Sequence, residues 1–128
     1  MQFNMILGIG IDIVDVRRIE DIIVRWQDAF LRRVFTDNEI RHCNNKKNPA
    51  QRFATRFAAK KAFIKALYPK GDTNFSYKDV EIGEKNRRPV VNLFGVAKTH
   101  AEQFEIKNIH LMLSHDGNYG VANVVIES

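Results

Sequence analysis

Ile6-Leu7-Gly8-Ile9-Gly10-Ile11-Asp12-Ile13-Val14 alternates at a period of two, placing Leu7, Ile9, Ile11 and Ile13 on one face and Gly8, Gly10 and Asp12 on the other. The pattern predicts a strand over 6–14 carrying a carboxylate near its end. Two glycines leading to an acid clear room for another backbone to approach. A bend or a tight strand crossing with Asp12 in solvent has an equal claim on this segment alone.

Working outward, Val16, Ile19, Ile23, Trp26 and Phe30 recur at three- and four-residue steps, predicting an amphipathic helix over 16–30. Arg18, Ile22 and Arg25 occupy a neighbouring face. Such a mixture suits an acidic amphipathic helix of another protein, and equally an ordinary solvated face. Thr36-Asp37-Asn38-Glu39 has capping-box spacing and predicts another helix start, followed by an Asn- and Lys-rich loop over 44–49.

The segment 50–67 predicts a long, central, buried helix with Phe53, Phe57 and Ile64 as its stripe and alanines admitting close neighbours. Arg52, Arg56 and Lys60 form one row of cations, and Lys61 and Lys65 a second beside Phe57. Exposed like charges at this spacing repel by about a few tenths of a kcal/mol per pair, a cost that a bound polyanion would relieve. Long stems reaching to water are the other reading. A carboxylate suited to a hard cation, opposite cations suited to phosphate, is minimal equipment for handling a nucleotide diphosphate.

After a turn at Lys70-Gly71-Asp72, strands are predicted over 78–82 and 89–94, joined by Glu84-Lys85-Asn86-Arg87-Arg88. A helix over 96–104 and two closing strands over 110–114 and 119–126 follow, the last pair turning at Asp116-Gly117-Asn118. His115 sits at a strand end, within reach of a ligand or serving the turn. No internal repeat or low-complexity segment is present.

With 128 residues, one domain over 1–128 is expected. Twenty Lys and Arg against fifteen Asp and Glu give a net charge of +5, which favours acidic partners. Cys43 is the only cysteine, excluding an intrachain disulfide or a thiolate zinc cluster and suggesting a reducing compartment. Met1-Gln2-Phe3-Asn4-Met5 has no basic run before a short, interrupted apolar stretch, so no signal peptide is expected. Nothing approaches the ~20 apolar residues of a membrane span, and a cytoplasmic protein is expected.

The Gly-Ile-Gly-Ile-Asp-Ile run, Arg-Phe-Ala-Ala-Lys-Lys-Ala-Phe-Ile-Lys-Ala-Leu from Arg56, and Leu113-Ser114-His115-Asp116, in this order and spacing, together resemble the bacterial holo-acyl-carrier-protein synthases, the small 4′-phosphopantetheinyl transferases. The resemblance implies an α+β fold, with an antiparallel sheet packed around a long central helix. It implies a homotrimer with active sites between subunits, and transfer of phosphopantetheine from coenzyme A to a serine of acyl carrier protein. Magnesium is the implied cofactor, with Asp12 as metal ligand and catalytic residue. Lys65 is implied to contact coenzyme A phosphate and join Asp12 in catalysis, His115 to lie near the coenzyme A phosphates, and Arg56 to touch the 3′-phosphate or the partner. The Asn86-Arg87-Arg88-Pro89 turn matches the adenine-lining region, giving Asn86, Arg88 and Pro89. Arg18, Ile22 and Arg25 are implied contacts for the carrier protein.

One departure stands out. Where the family has Ala-Lys-Glu-Ala, supplying a second metal carboxylate, this chain has Ala59-Lys60-Lys61-Ala62. Lys61 then acts as a fixed cation toward the cofactor in place of some metal charge, or Asp15 or Asp116 substitutes as ligand, or the chain is a catalytically impaired homologue that binds coenzyme A and carrier protein. Retained activity with altered metal dependence is the favoured expectation. A competing class is a nucleic-acid-binding module tracking phosphates with Arg52, Arg56 and Lys60. It lacks interleaved exposed aromatics and any helix-turn-helix or zinc-finger spacing, so neither nucleic acid nor membrane is an expected partner.

Overall fold

The computed structural model describes residues 4–67 and 75–128, so the expected turn at Lys70-Gly71-Asp72 lies outside the described residues. Strand β1 (Ile6–Asp15) leads into three short helices, α1 (Val16–Trp26), α2 (Asp28–Val34) and α3 (Asp37–Asn44), and then the long α4 (Pro49–Leu67). A 3-10 turn (Tyr77–Asp79) precedes the hairpin β2 (Val80–Lys85) and β3 (Arg88–Leu93), followed by α5 (Gly95–Gln103), β4 (Asn108–Asp116) and β5 (Tyr119–Glu127). The main sheet is antiparallel in the order β1-β5-β4, and β2 and β3 form a separate two-stranded ribbon. This is an α+β fold with α4 laid across the inner face of the main sheet, chiefly against β1 and β5.

The period-two reading of β1 holds, and it is the glycine side that meets the core. A Cβ on Gly8 or Gly10 would overlap the carbonyl oxygens of Ala66 or Ala62, so only glycine lets β1 rest directly on the backbone of α4. Asp12 and Val14, on the same side, are buried. Ile9, Ile11 and Ile13 point away from α4 and remain about 60% exposed. They share the outer sheet face with Val121 and Val125, their partners across the β1–β5 ladder, and with the exposed Met112 of β4.

Alanines 54, 58, 59, 62 and 66 make α4 slender where it is enclosed, while Phe53, Phe63 and Leu67 fill the core beside Phe35, Ile19, Val80 and Ile126. The Phe35 and Phe53 rings lie 5.0 Å apart. Cys43 is fully buried, and desolvation pushes its thiol up to about 11, which leaves it inert as a nucleophile.

Three expectations need correction. The stripe over 16–30 is two helices, because Gln27 takes a left-handed conformation (φ 47°) between α1 and α2; Trp26 stays exposed and Phe30 belongs to α2. The segment starting at Lys78 opens as a 3-10 turn, and its strand begins only at Val80. Lys60, assigned to a phosphate-facing row, is completely buried: its Nζ donates to Glu39 Oε1 (2.8 Å), Tyr77 O (2.9 Å) and Val80 O (2.8 Å). Glu39 is the capping-box residue of α3, accepting from Thr36 N (2.8 Å) at Oε1 and from Ile82 N (2.8 Å) at Oε2. Burial lowers the Lys60 pKa and the Glu39 carboxylate opposes that shift, so this cation is a structural strut.

Candidate active site

Asp12 is carried to the inner side of β1, an edge strand, by the alternation that begins at Gly8. Two lysines one helical turn apart on α4 meet it. Lys65 Nζ donates to Asp12 Oδ1 (2.7 Å) and to Ile11 O (3.1 Å), and Lys61 Nζ lies 3.6 Å from Asp12 Oδ2. Lys61 Nζ also sits over the Phe57 ring, 5.3 Å from its centroid, which restrains it from the other side. Asp12 Oδ2 is buried without a hydrogen-bond partner. A buried acceptor left open is costly, so a donor brought to this oxygen would be favoured.

A cleft of about 430 Å³ adjoins this cluster, lined by Lys61, Phe57, Phe30, Tyr77, Tyr119, Asp15, Arg18 and Ile22. Arg18, Ile22 and Arg25 fall on one side of α1, and among the described residues neither arginine forms a salt bridge. Arg25 is exposed beyond the cleft rim.

A second cluster occupies the opposite edge of the sheet. Between α3, α4, the β2–β3 hairpin and β4 opens a basic cavity of about 1060 Å³, lined by His42, Lys46, Arg52, Arg56, Asn86, Arg87, Arg88 and Pro89 among others. Arg56 is buried, and its Nε has no hydrogen-bond partner. A buried guanidinium aimed into a cavity whose rim carries further cations is poised for an anion. Asn86 and Arg87 both have positive φ (53° and 64°), forming a two-residue hairpin turn that projects Arg87 and Arg88 over the cavity. His115 lies next door, its Nδ1 3.2 Å from Gln51 Nε2, in a recess shared with Arg52, Thr55 and Arg56. Burial, then the neighbouring Arg56 and Lys46, hold the His42 pKa below the usual imidazole range.

The expected site residues thus assemble as two groups. Asp12, Lys61 and Lys65 meet on β1; Arg56, Asn86, Arg88, Pro89 and His115 gather on the β4 side. Strand β5 runs between them, which keeps the strand axes about 9–10 Å apart at two interstrand spacings. Along α4, residues 56 and 61 differ by about 140° around the helix axis, so the two rows of cations face different sides. Sequence reasoning missed His42, Lys46, Tyr77 and Tyr119, because no local pattern ties the end of α3 to the hairpin or β5 to α1.

The donor set at Asp12 does not fit a protein-held Mg2+. The charged side chains that meet Asp12 are both ammoniums, Lys61 and Lys65. Asp15 caps α1 and is engaged by Arg17 (2.8–3.0 Å), while Asp116 ends β4 on the far edge. A divalent ion here would meet one carboxylate and two ammoniums.

A family model described as the 4′-phosphopantetheinyl transferase superfamily matches residues 8–124. A protein of Koribacter versatilis named holo-[acyl-carrier-protein] synthase is 44% identical over 124 residues, covering 96% of this chain and 99% of that one. The crystal structure of holo-[acyl-carrier-protein] synthase from Neisseria meningitidis is similar at 30% identity and a TM-score of 0.88, covering 97% of this chain and 100% of that one. The Helicobacter pylori holo-[acyl-carrier-protein] synthase in complex with coenzyme A is similar at 33% identity and a TM-score of 0.79, covering 92% and 98% respectively.

Proposed function

The chain belongs to the 4′-phosphopantetheinyl transferase superfamily, and on that footing we propose that its two clusters are the halves of one active site, completed between neighbouring subunits. The activity is that of a holo-[acyl-carrier-protein] synthase: 4′-phosphopantetheine passes from coenzyme A to a serine of apo acyl carrier protein, releasing 3′,5′-ADP, for fatty acid biosynthesis. The impaired-homologue and nucleic-acid readings are not favoured beside relatives of this name and coverage.

The observation that carries the shared site is the separation of its parts by β5. A closed head-to-tail ring of one transferase domain per subunit, a homotrimer, would bring the β1 edge of one subunit to the β4 edge of the next. The outer face bearing Ile9, Ile11, Ile13 and Met112 supports this arrangement, since four large apolar side chains about 60–70% exposed need cover.

In this scheme the basic cavity takes the adenosine and 3′-phosphate, with Arg56 and His115 toward phosphate and Asn86, Arg88 and Pro89 along the base. The diphosphate then reaches Lys61 and Lys65. As the serine oxygen bonds to the β-phosphorus and the bond to 3′,5′-ADP breaks, these ammoniums stabilise charge on the phosphoryl oxygens. Asp12 Oδ2 accepts the serine proton. Mg2+ enters only as a solution counter-ion of the diphosphate. Arg18, Ile22 and Arg25 receive the acidic carrier protein beside the cleft that ends at Lys61. No helix among the described residues is long and apolar enough to cross a membrane, and the buried free thiol of Cys43 suits a reducing cytoplasm.

The test is incubation with coenzyme A and apo acyl carrier protein, followed by intact-mass spectrometry of the carrier protein. A gain of one phosphopantetheine arm, lost in Asp12→Ala, is expected; no gain under any ionic condition, with coenzyme A bound, overturns the transferase assignment.

A further inference from the structure

The cations beside Asp12 are, in this protein, part of the polypeptide. Asp12 Oδ2 is buried and unpartnered, with the Lys61 ammonium 3.6 Å away, while Oδ1 accepts a hydrogen bond from Lys65 at 2.7 Å. Phe57 beneath Lys61, 5.3 Å from ring centroid to Nζ, limits the directions in which that ammonium swings. The three side chains together carry a net charge of +1. Mg2+ requires a near-octahedral shell of oxygens at about 2.0–2.1 Å, and a divalent ion placed at Oδ2 would be pressed against Lys61 without a second carboxylate to offset the repulsion. Asp15 is committed to Arg17, and Asp116 stands on the opposite edge strand, so neither of them provides one.

We infer that Lys61 takes the electrostatic role of a divalent cation, so that phosphopantetheine transfer by this chain needs no protein-held metal ion. The inference rests on the transferase reading above and deepens it. Chemically the step is complete without a metal. The serine oxygen forms a bond to phosphorus, the bond to the 3′,5′-ADP oxygen breaks, and the serine proton passes through Asp12 to solvent. Two ammoniums meanwhile stabilise the phosphoryl oxygens.

Steady-state transfer is measured for the natural protein, Lys61→Glu and Lys61→Gln, in excess EDTA and across a Mg2+ series, with folding of each checked by circular dichroism. The natural protein is expected to keep its rate in EDTA within about threefold of its rate in Mg2+. Lys61→Glu should fall by about 100-fold in EDTA and recover with Mg2+, whereas Lys61→Gln should stay slow throughout, the size expected when one charge-stabilising group is lost. Loss of the natural protein's activity in EDTA, restored by Mg2+, overturns the inference.

Mn2+ titration followed by electron paramagnetic resonance, with coenzyme A present and no turnover, reads the same question independently. Only Lys61→Glu is expected to hold Mn2+ more tightly than coenzyme A alone does; equally tight binding by the natural protein overturns the inference. Should no transfer occur under any condition, the transferase reading fails, and the Mn2+ titration still decides the role of Lys61.

Discussion

Replacing Lys60 by Met isolates what the buried strut contributes. The methionine stem fills most of the lysine's path, so the loss is electrostatic: Glu39 keeps its charge with no counter-charge, and the carbonyls of Tyr77 and Val80 lose their donor. Removing one partner of a fully buried ion pair costs about 3–5 kcal/mol, and about 4 kcal/mol is the expectation with the stem retained. Against a typical domain stability of about 5–15 kcal/mol this is a large fraction, and the melting temperature should fall by roughly 12 °C. Urea unfolding of both proteins at equal concentration measures it, because the proposed assembly would make apparent stability concentration-dependent. Adding Glu39→Gln removes the stranded charge while leaving one amide oxygen for Thr36 N or Ile82 N, and should recover about 1 kcal/mol or more. Coenzyme A affinity of the folded Lys60→Met protein should be unchanged. A loss under about 1 kcal/mol, or no recovery in the double variant, would refute the strut; a selective loss of coenzyme A binding would return Lys60 to the phosphate-facing row.

Co-expressed Asp12→Ala and Arg56→Gln subunits, each inactive alone, should recover activity. A shared site needs Asp12 from one subunit and Arg56 from the next, so random mixing leaves about a quarter (1/2 × 1/2) of the sites intact, and no recovery would place the whole site in one chain. Arg18→Glu should weaken carrier-protein binding about tenfold or more by surface plasmon resonance and leave coenzyme A binding as it was; equal loss of both would instead signal misfolding. Gly10→Ala should sharply reduce the soluble yield and melting temperature, since its Cβ would overlap a helix carbonyl, and a normal melt would sink the close-approach argument. His42, held low by burial and by Arg56, makes unfolded chains bind more protons between its lowered value and about 6.5, so its contribution to stability is complete above that window and is lost as pH falls through it. A bound phosphate reverses the bias, so calorimetry should find coenzyme A binding tighter toward pH 6, and a slope equal to that of His42→Gln would remove His42 from the cavity.

Much of the fold could be read locally. The period-two run of β1, the small alanines of α4, the capping box at Thr36 and Glu39, and the turn at Gly117 all appear where their short-range chemistry points. Of the expected stripe of α4, however, only Phe53 is fully buried, and Phe63 takes the place given to Phe57 and Ile64. What escaped was set by distant partners. Lys60 stands four residues from Arg56 and reads as another surface cation until Glu39, 21 positions earlier, arrives beside it. Gln27 breaks the α1–α2 stripe without a glycine or proline to announce it. The sequence offers the candidate residues but not their division into two groups, because that division follows from β5 inserting between β1 and β4 in space while coming last in the chain.

The glycine track of β1 has a bearing on how this chemistry withstands change. Gly8 and Gly10 rest on the carbonyls of Ala66 and Ala62, neighbours in sequence of Lys65 and Lys61, so the span from carboxylate to ammonium is gauged by main chain against main chain. If these residues carry the chemistry, the spacing of Asp12 from Lys61 and Lys65 is set at two positions that bear no side chain at all.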